Sequence, residues 1–262
     1  GTGGQLTSEF NHQLTPYLGA VYDLGPSYSL YASYTDVFEA QARRKVNGDY
    51  VAPKTGKAYE AGGKGEWLDG QVDGSAALFY SKQNAVAVQA RDANGNPLLV
   101  DGSTENAYFN GGAGVRAKGV ELDFSGRITA SWNVYGGYTF LSVDNPNTPG
   151  TDADPRHLLR LNTSYRLPGA LRKLTVGMGM TAQSRMRQAA AGNSHPILGD
   201  KANIDLKGYT LYHAMARYEI SKDVTATLNI TNLLDKTYYR QYGFYAGAIY
   251  GEPRRISVGL NA

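Results

Sequence analysis

Residues 158–167 read LLRLNTSYRL, and this stretch indicates the fold more directly than any other part of the sequence. From residue 159 onward its odd positions are apolar, aromatic or threonine, and its even positions are polar: Arg160, Asn162, Ser164 and Arg166. Strict alternation is typical of a β-strand whose two faces meet different surroundings. Residues 59–67 and 119–127 alternate in the same way. The sequence therefore predicts strands with one face suited to lipid and one suited to water.

The composition fits a membrane protein built from strands and excludes one built from helices. The mean hydropathy is −0.40, and no stretch approaches the ~20 consecutive apolar residues of a membrane-spanning helix. In a transmembrane barrel, lipid-facing and lumen-facing residues alternate, so the average hydropathy cancels. The 20 tyrosines suit aromatic girdles at the membrane surfaces, and the 32 glycines suit turns and bends.

Charge and cysteine content exclude other classes of protein. The net charge of +3 is small and dispersed, and the short basic run at 43–45 does not indicate nucleic-acid binding. Cysteine is absent, so there is no disulfide, thiolate metal site or cysteine nucleophile. The first residues lack the charged and apolar regions of a signal peptide. Since an outer-membrane protein needs one, we expect its amino-terminal part to be missing or removed.

The whole chain divides into strands joined by connections of alternating length. About eleven strands are predicted at 14–24, 28–38, 59–67, 71–81, 119–127, 132–141, 158–167, 174–182, 209–220, 223–231 and 254–262. Short turns alternate with long polar loops at 39–58, 82–118, 142–157, 183–208 and 232–253. Short turns on one side and long loops on the other are typical of outer-membrane barrels. The predicted fold class is therefore all-β, an antiparallel transmembrane β-barrel; the alternative, a soluble β-sandwich, predicts shorter strands.

The order of the connections gives the chain a direction. The first strand ends in a short turn and the last follows a long loop, so both run from outside to periplasm. An odd number of strands differs from the even number of single-chain bacterial barrels, so we expect at least one strand before residue 1. We also expect the segment alone to be unstable as a membrane-inserted monomer, because its two edge strands would expose unpaired backbone groups to lipid.

Several segments, in order, resemble the barrel of the TonB-dependent siderophore receptor family. Residues 229–239, NITNLLDKTYY, resemble the family's N-x-x-N-L-[FL]-D-K-x-Y stretch, and 250–255, YGEPRR, resemble its Y-G-x-P-R. Further similar segments lie upstream at 32–38, 59–62, 119–122 and 154–169. Each motif alone is weak, but together they cover nearly the whole chain.

The resemblance implies a fold and a function. The family barrel has about 22 strands and a plugged lumen, so 1–262 would be its carboxy-terminal part, with the plug domain and the early strands absent. The implied function is an outer-membrane receptor that binds a ferric siderophore at its extracellular mouth. In the overall character of its sequence, the chain most resembles receptors for ferric hydroxamate-type siderophores. Import would follow when the TonB complex pulls on the plug. The expected partners are the ferric siderophore, the TonB complex, the protein's own plug domain and the lipid bilayer, without nucleic acid.

Two other functions remain open for such a barrel. A passive porin would need no plug or energised partner, and an adhesin or phage-docking barrel would bind macromolecules and transport nothing. No enzyme is predicted, because no acid, base and nucleophile converge. The histidines at 12, 157, 195 and 213 lack metal-ligand spacing, the pair Asp152 and Asp154 lacks the rest of a calcium loop, and the glycine run at 111–114 lacks a strand-turn-helix context. We expect no metal site and no directly bound cofactor, with iron carried by the ligand.

One set of candidate residues lies on the polar face of the strands. They are expected to face the lumen and the plug: Glu60, Lys64, Glu66, Glu121, Asp123, Arg127, Arg160 and Arg166. They could hold a plug through hydrogen bonds and ion pairs, or they could simply line a wet lumen.

A second set lies in the long loops and is expected to contact the ligand: Tyr108, Phe109, Arg116, Arg240, Tyr242, Phe244 and Tyr245. Aromatic rings give rigid contact area, and arginine favours the anionic or electron-rich oxygens of an iron chelate. The alternative is an aromatic girdle at the lipid headgroups, which is favoured for Tyr238 and Tyr239 beside a strand end.

Overall fold

A computed structural model describes residues 14–111, 114–146, 148, 150–188, 203–242 and 248–261, with only the backbone at 241 and 242. His12, His195, Phe244 and Tyr245 lie outside the described residues, as does the side chain of Tyr242. The architecture is one antiparallel sheet of eleven strands accompanied by three two-stranded hairpins.

The strands fall into two groups by length and position. Those of the large sheet are β1 Tyr17–Asp23, β2 Tyr28–Glu39, β3 Lys54–Trp67, β4 Val72–Asn84, β7 Val115–Thr129, β8 Trp132–Asp144, β9 His157–Arg166, β10 Leu174–Gln183, β13 Tyr209–Glu219, β14 Thr225–Thr231 and β17 Arg255–Asn261. Those of the hairpins lie within the long connections: β5 Ala87–Gln89, β6 Tyr108–Asn110, β11 Met186–Gln188, β12 Ile204–Leu206, β15 Tyr239–Tyr242 and β16 Ala248–Tyr250. A single 3₁₀ turn, Gly169–Leu171, is the one helical element described, and no described helix is long and apolar enough to cross a membrane.

Strand order in the large sheet follows the chain: β1-β2-β3-β4-β7-β8-β9-β10-β13-β14-β17, each antiparallel to its neighbours. This confirms the predicted antiparallel barrel sheet of about eleven strands. Neighbouring strands are joined at one end by short turns and at the other by the long loops. In the tight turn between β3 and β4, Gln71 N–H donates to Leu68 O, and the central residues Asp69 and Gly70 both adopt positive φ, at 55° and 76°. Such mirror-image turns match the right-handed twist of the strands they join.

The register sorts the side chains onto two faces. In β7, Val120, Leu122 and Phe124 share a face with apolar or glycine partners on β4 and β8, whereas Glu121 and Asp123 lie on the other. The polar face is concave, since it lines a cavity of about 1000 Å³ that runs from the β1–β2 turn to β9. We call the concave face inward and the apolar convex face outward.

The predicted strand bounds were wrong at the long-loop ends. Strands β3 and β7 begin at Lys54 and Val115, about four or five residues earlier than predicted, and β4 and β8 continue three residues further, to Asn84 and Asp144. Pairing continues there although the outward positions become polar or charged, as at Lys57 and Lys82. Hydropathy alternates only where one face of a strand meets lipid and the other meets water. It therefore does not reveal the part of a strand that extends beyond the membrane, where both faces meet water.

Leu122 offers a test of the two faces. On the outward face it lies midway between the level of Tyr59 and Tyr80, toward the long loops, and the level of Trp67, beside the short turn. We expect Leu122→Arg to lower the free energy of unfolding of the complete protein in lipid vesicles by about 2–4 kcal/mol, the cost of arginine at the midplane of a barrel. Thr139→Arg is the matched control, since Thr139 faces inward opposite Glu121. Denaturant titration in vesicles measures both variants, and an equal loss of stability in the two would contradict the assignment of faces.

Candidate functional site: the inward wall and the extracellular loops

The inward wall carries all eight residues predicted for the polar face. The register places them on one side of the sheet, across β3, β7 and β9. One row runs Ser29, Lys64, Ser75, Asp123, Gly137, Arg160, so that charge of both signs crosses the wall at one height.

Some of these inward groups already have partners within the wall. The hydroxyl of Tyr31 donates to Glu60 Oε1 at 2.7 Å. Arg127 Nε donates to Gln71 Oε1 at 3.2 Å, and Arg166 Nη2 lies 3.4 Å from Glu219 Oε1. In the part of the chain that the structure describes, Glu121, Asp123 and Arg160 form no ion pair within the wall. Asp123 and Arg160 line the cavity, and Glu121 lies on the same inward face.

The first two long loops pack together into one body, which we call the outer loop pair, residues 40–53 and 85–114 with the gap at 112–113. Backbone bonds join them: Asp101 N–H donates to Val46 O at 2.7 Å and Tyr108 N–H to Arg44 O at 2.7 Å. Val51 is 2% exposed, and Ala90, Val100 and Ala107 form a small buried cluster. Buried apolar side chains and shared backbone bonds make these loops ordered rather than independent.

Gln41 connects the outer loop pair and was not singled out from the sequence. Its Nε2 donates to Ala52 O and Ala85 O, both at 2.7 Å, and its Oε1 accepts from Ala87 N–H at 2.9 Å. One amide thus satisfies three backbone groups on two loops. No local sequence pattern marks such a residue, because its partners are up to 46 positions away.

Tyr108 and Phe109 lie on β6 of the outer loop pair. The Arg43 guanidinium sits 4.8 Å above the centroid of the Tyr108 ring, which holds that ring against the first loop. Phe109 points the other way and is 49% exposed. Of the two aromatic residues predicted to contact a ligand here, Phe109 is the accessible one.

A tight turn in the same loop pair carries a carboxylate with a shifted pKa. Asp92 accepts hydrogen bonds from the backbone and side chain of Asn96 and from the backbone of Asn94. These donors, those of Asn96 foremost, lower the pKa of Asp92 below its usual range. The Asp92 carboxylate therefore stays ionised, and keeps these hydrogen bonds, to a lower pH than an ordinary aspartate would.

Arg116 does not lie in a loop as predicted. It belongs to β7, and the register places it on the outward face, opposite Lys82 and Asp144. Its side chain therefore points away from the inward wall. The strand continues past the membrane boundary, and sequence alternation does not show this.

The last long loop is organised by Asn232, a buried polar residue at 3% exposure. Its Nδ2 donates to Lys236 O at 2.9 Å and Glu252 O at 3.1 Å, and its Oδ1 accepts from Lys236 N–H at 2.8 Å. Its φ of 49° is one that asparagine tolerates better than most residues. Both ends of the loop are thereby joined to one side chain, which we call the Asn232 clamp.

Two neighbouring contacts complete the Asn232 clamp. Asp235 Oδ1 accepts from Arg254 N–H at 2.8 Å, and the Tyr238 ring lies so close to Gly251 that a Cβ there would clash with the ring. The segments 229–239 and 250–255, which carry the family resemblance, are therefore two halves of one folded unit. Their residue types follow from this packing.

Arg240, exposed, lies on β15 where the pairing with β16 shifts register. Beside it the Tyr239 and Tyr250 rings stack at 4.5 Å, and their hydroxyls are 3.0 Å apart. The hydrogen bond to Tyr250 raises the pKa of Tyr239. Tyr238 instead packs on Tyr209, with ring centroids 4.4 Å apart, so it belongs to the base of the loop.

The histidines are not gathered into a site. His157 Nδ1 lies 2.8 Å from the Tyr138 hydroxyl on the outward face, and His213 Nδ1 accepts from Asn232 N–H at 3.3 Å. Within the described residues, no group of three His, Asp or Glu side chains has an arrangement that could hold a metal ion.

A concave polar face, a convex apolar face, short turns and ordered long loops define the class: a transmembrane antiparallel β-barrel. Residues 1–233 match the family model described as TonB dependent receptor-like, beta-barrel. The chain belongs to this family, whose members are bacterial outer-membrane barrels. The resemblance noted from the sequence is confirmed.

The relatives of known sequence and structure include pyoverdine receptors. The chain is 36% identical over 258 residues to the ferripyoverdine receptor of Pseudomonas aeruginosa, covering 97% of this chain and 31% of the relative. It is 34% identical to the ferric-pyoverdine 358 receptor of Pseudomonas putida, covering 94% of this chain and 29% of that protein. The solved pyoverdine outer membrane receptor of Pseudomonas aeruginosa PAO1 bound to pyoverdine superposes with a TM-score of 0.81 at 36% identity, covering 94% of this chain and 35% of the other. The chain thus spans about a third of the length of these relatives.

The Asn232 clamp predicts how the last loop responds to mutation. Asn232→Ala removes three hydrogen bonds through which a buried side chain holds the loop, each contributing about 0.5–1.5 kcal/mol. We expect the backbone amides of 233–254 to exchange with deuterium at least about tenfold faster in the complete protein, while the strands stay protected.

Two variants control for other causes. Leu234→Ala changes a side chain that is 69% exposed and should leave exchange unchanged. Asn232→Gly relieves any strain from the positive φ, so recovery of protection in this variant would show that backbone strain, and not the side-chain bonds, orders the loop.

Proposed function

We propose that the complete protein is an outer-membrane receptor and transporter that binds a ferric siderophore at its extracellular mouth and imports it with energy supplied through TonB. The observation that carries this proposal is the 36% identity to a ferripyoverdine receptor along 97% of the chain. The alignment therefore includes the long loops as well as the strands, although sequence varies most among homologues in loops.

The ligand class proposed is a ferric pyoverdine. The two relatives at 36% and 34% identity are both pyoverdine receptors by name, and a solved relative holds pyoverdine. The sequence had predicted a ferric siderophore of hydroxamate type, and the named relatives narrow the proposal to pyoverdines. Iron is cargo in this proposal, carried by the ligand, and no cofactor is bound directly by the protein.

The mouth would be formed by aromatic and cationic side chains on the ordered loops. Phe109 offers an exposed ring on the outer loop pair, with Tyr108 behind it. Arg240 is exposed at the register shift of β15 and could meet anionic oxygens of the chelate. The sequence adds Tyr242, Phe244 and Tyr245 to this set, while Arg116 is left out because its strand position turns it outward.

The inward wall would hold the plug domain. Asp123 and Arg160 line the cavity without ion pairs in the described wall, and Lys64 and Glu66 line it too. Glu121 lies on the same inward face. A plug that fills this space would complete their hydrogen bonds, because burying such groups without partners is costly. Arg127 and Arg166, already hydrogen-bonded near the periplasmic turns, would shape its lower edge.

Binding to the complete protein tests the proposal. Ferric pyoverdine should quench the protein's intrinsic fluorescence saturably, and iron-free pyoverdine should bind more weakly. We expect Phe109→Ala and Arg240→Ala each to weaken binding by about tenfold, as for central aromatic and arginine contacts. Leu99→Ala, a change at another exposed loop position, is the matched control.

Other outcomes would favour the alternative functions. Steady ion conductance through the complete protein in a planar bilayer, without chelate binding, would indicate a passive porin. Tight binding of a protein or phage particle with no uptake of labelled iron would indicate an adhesin or docking barrel.

A further inference from the structure

The outward face of the sheet carries an uneven distribution of positive charge. Among the described strands of the large sheet, the register places just four Lys or Arg side chains outward: Lys57, Lys82, Arg116 and Lys118. All four lie on the adjacent strands β3, β4 and β7, at their long-loop ends. The outward positions of the other eight strands carry no lysine or arginine in the described register.

Three of these cations form one row across neighbouring strands. Lys57 pairs with Lys82, and Lys82 pairs with Arg116. Adjacent strands lie about 4.8 Å apart, so the row spans roughly 10 Å. Lys118 lies on the same strand as Arg116 and one outward position closer to the membrane. Like charges placed this closely repel each other unless an anion lies among them.

The depth of this row is set by the tyrosines directly below it. Tyr34, Tyr59 and Tyr80 occupy consecutive strands at the next outward position, with ring centroids 5.2 Å and 6.4 Å apart. Such a tyrosine ladder marks the boundary between hydrocarbon and headgroups. Two residues of strand rise about 6.8 Å, so the cation row stands at the level of the headgroups, outside the hydrocarbon core.

The protein itself neutralises this charge only at its margins. Asp36 and Asp144 close the two ends of the row, opposite Lys57 and Arg116. The Arg116–Asp144 pair is 3.9 Å apart, with both side chains more than half exposed, so it is weak. Asp36 already accepts a hydrogen bond from the Tyr34 hydroxyl. Lys82 and Lys118, at the centre, have no ion pair or side-chain hydrogen bond in the part of the chain that the structure describes.

We propose that Lys57, Lys82, Arg116 and Lys118 form a lipid-phosphate site that binds a phosphorylated lipid of the outer leaflet around the barrel. Its acyl chains would lie on the outward apolar side chains below the tyrosine ladder, and its phosphate would lie among the cations. The site is on the outside of the barrel, separate from the mouth and the inward wall. It therefore does not depend on the proposed transport function.

The test uses the complete protein in a neutral detergent, with diphosphoryl lipid A as the probe. A triple variant, Lys57→Gln, Lys82→Gln and Arg116→Gln, should bind the probe about 100-fold more weakly, since each cation near an anionic headgroup contributes about fivefold. The matched control removes three exposed cations at the periplasmic turns by Arg172→Gln, Lys173→Gln and Lys222→Gln, and should bind like the unmodified protein. Titration of labelled probe gives the dissociation constants, and native mass spectrometry counts the lipids retained.

A second variant is expected to strengthen lipid binding. Misfolding would weaken binding, so this variant separates the two explanations. Asp36→Asn with Asp144→Asn removes the flanking carboxylates and should tighten binding several-fold, with a steeper loss of affinity as salt is added. Equal binding by the triple variant and its control would overturn the proposal. Displacement of the lipid by inorganic phosphate at the same concentration would also overturn it, because the cluster would then be an anion site without lipid recognition.

Discussion

The backbone ladder between neighbouring strands is the constraint on which the rest of the structure depends. Within lipid there is no water to satisfy an unpaired N–H or C=O group, so each strand must be bonded to strands on both sides. Ten antiparallel pairings join the eleven strands in chain order. Antiparallel pairing keeps the side chains of opposed residues on the same face, and this property produces every row of function-bearing side chains on the sheet.

The two faces divide the chemistry of the molecule between different surroundings. Carboxylates and cations such as Asp123 and Arg160 line the concave wall, where a wet lumen or a plug can satisfy them. The convex wall is apolar up to the tyrosine ladder and becomes cationic immediately beyond it. Along one strand, β7, the outward side chains therefore pass from Phe124 through Val120 to Arg116, and they follow the polarity profile of the membrane.

Order in the extracellular loops rests on a few polar side chains that serve several backbone groups at once. Gln41 joins the outer loop pair, and Asn232 joins the two ends of the last loop. Each removes the cost of leaving loop backbone groups unpaired and reduces the freedom of the chain. A ligand-binding mouth built on such loops would be partly preorganised, and preorganisation lowers the entropy lost when a ligand binds.

The sequence by itself determined the class of fold, the number of strands and the face on which each inward residue lies. It could do so because period-two alternation records directly which side of a strand meets lipid. Segments such as 229–239 also indicated the family, since their residue types are set by close packing around Asn232 and Gly251.

Only the tertiary structure decided where the strands end, that Arg116 faces outward, and which loop residues hold the mouth together. Beyond the membrane both faces of a strand meet water, so the pattern that reveals the strand disappears while the pairing continues. The bonds of Gln41 and the row formed by Lys57, Lys82 and Arg116 join residues far apart in the chain. Such contacts depend on register between strands, which hydropathy along one strand does not contain.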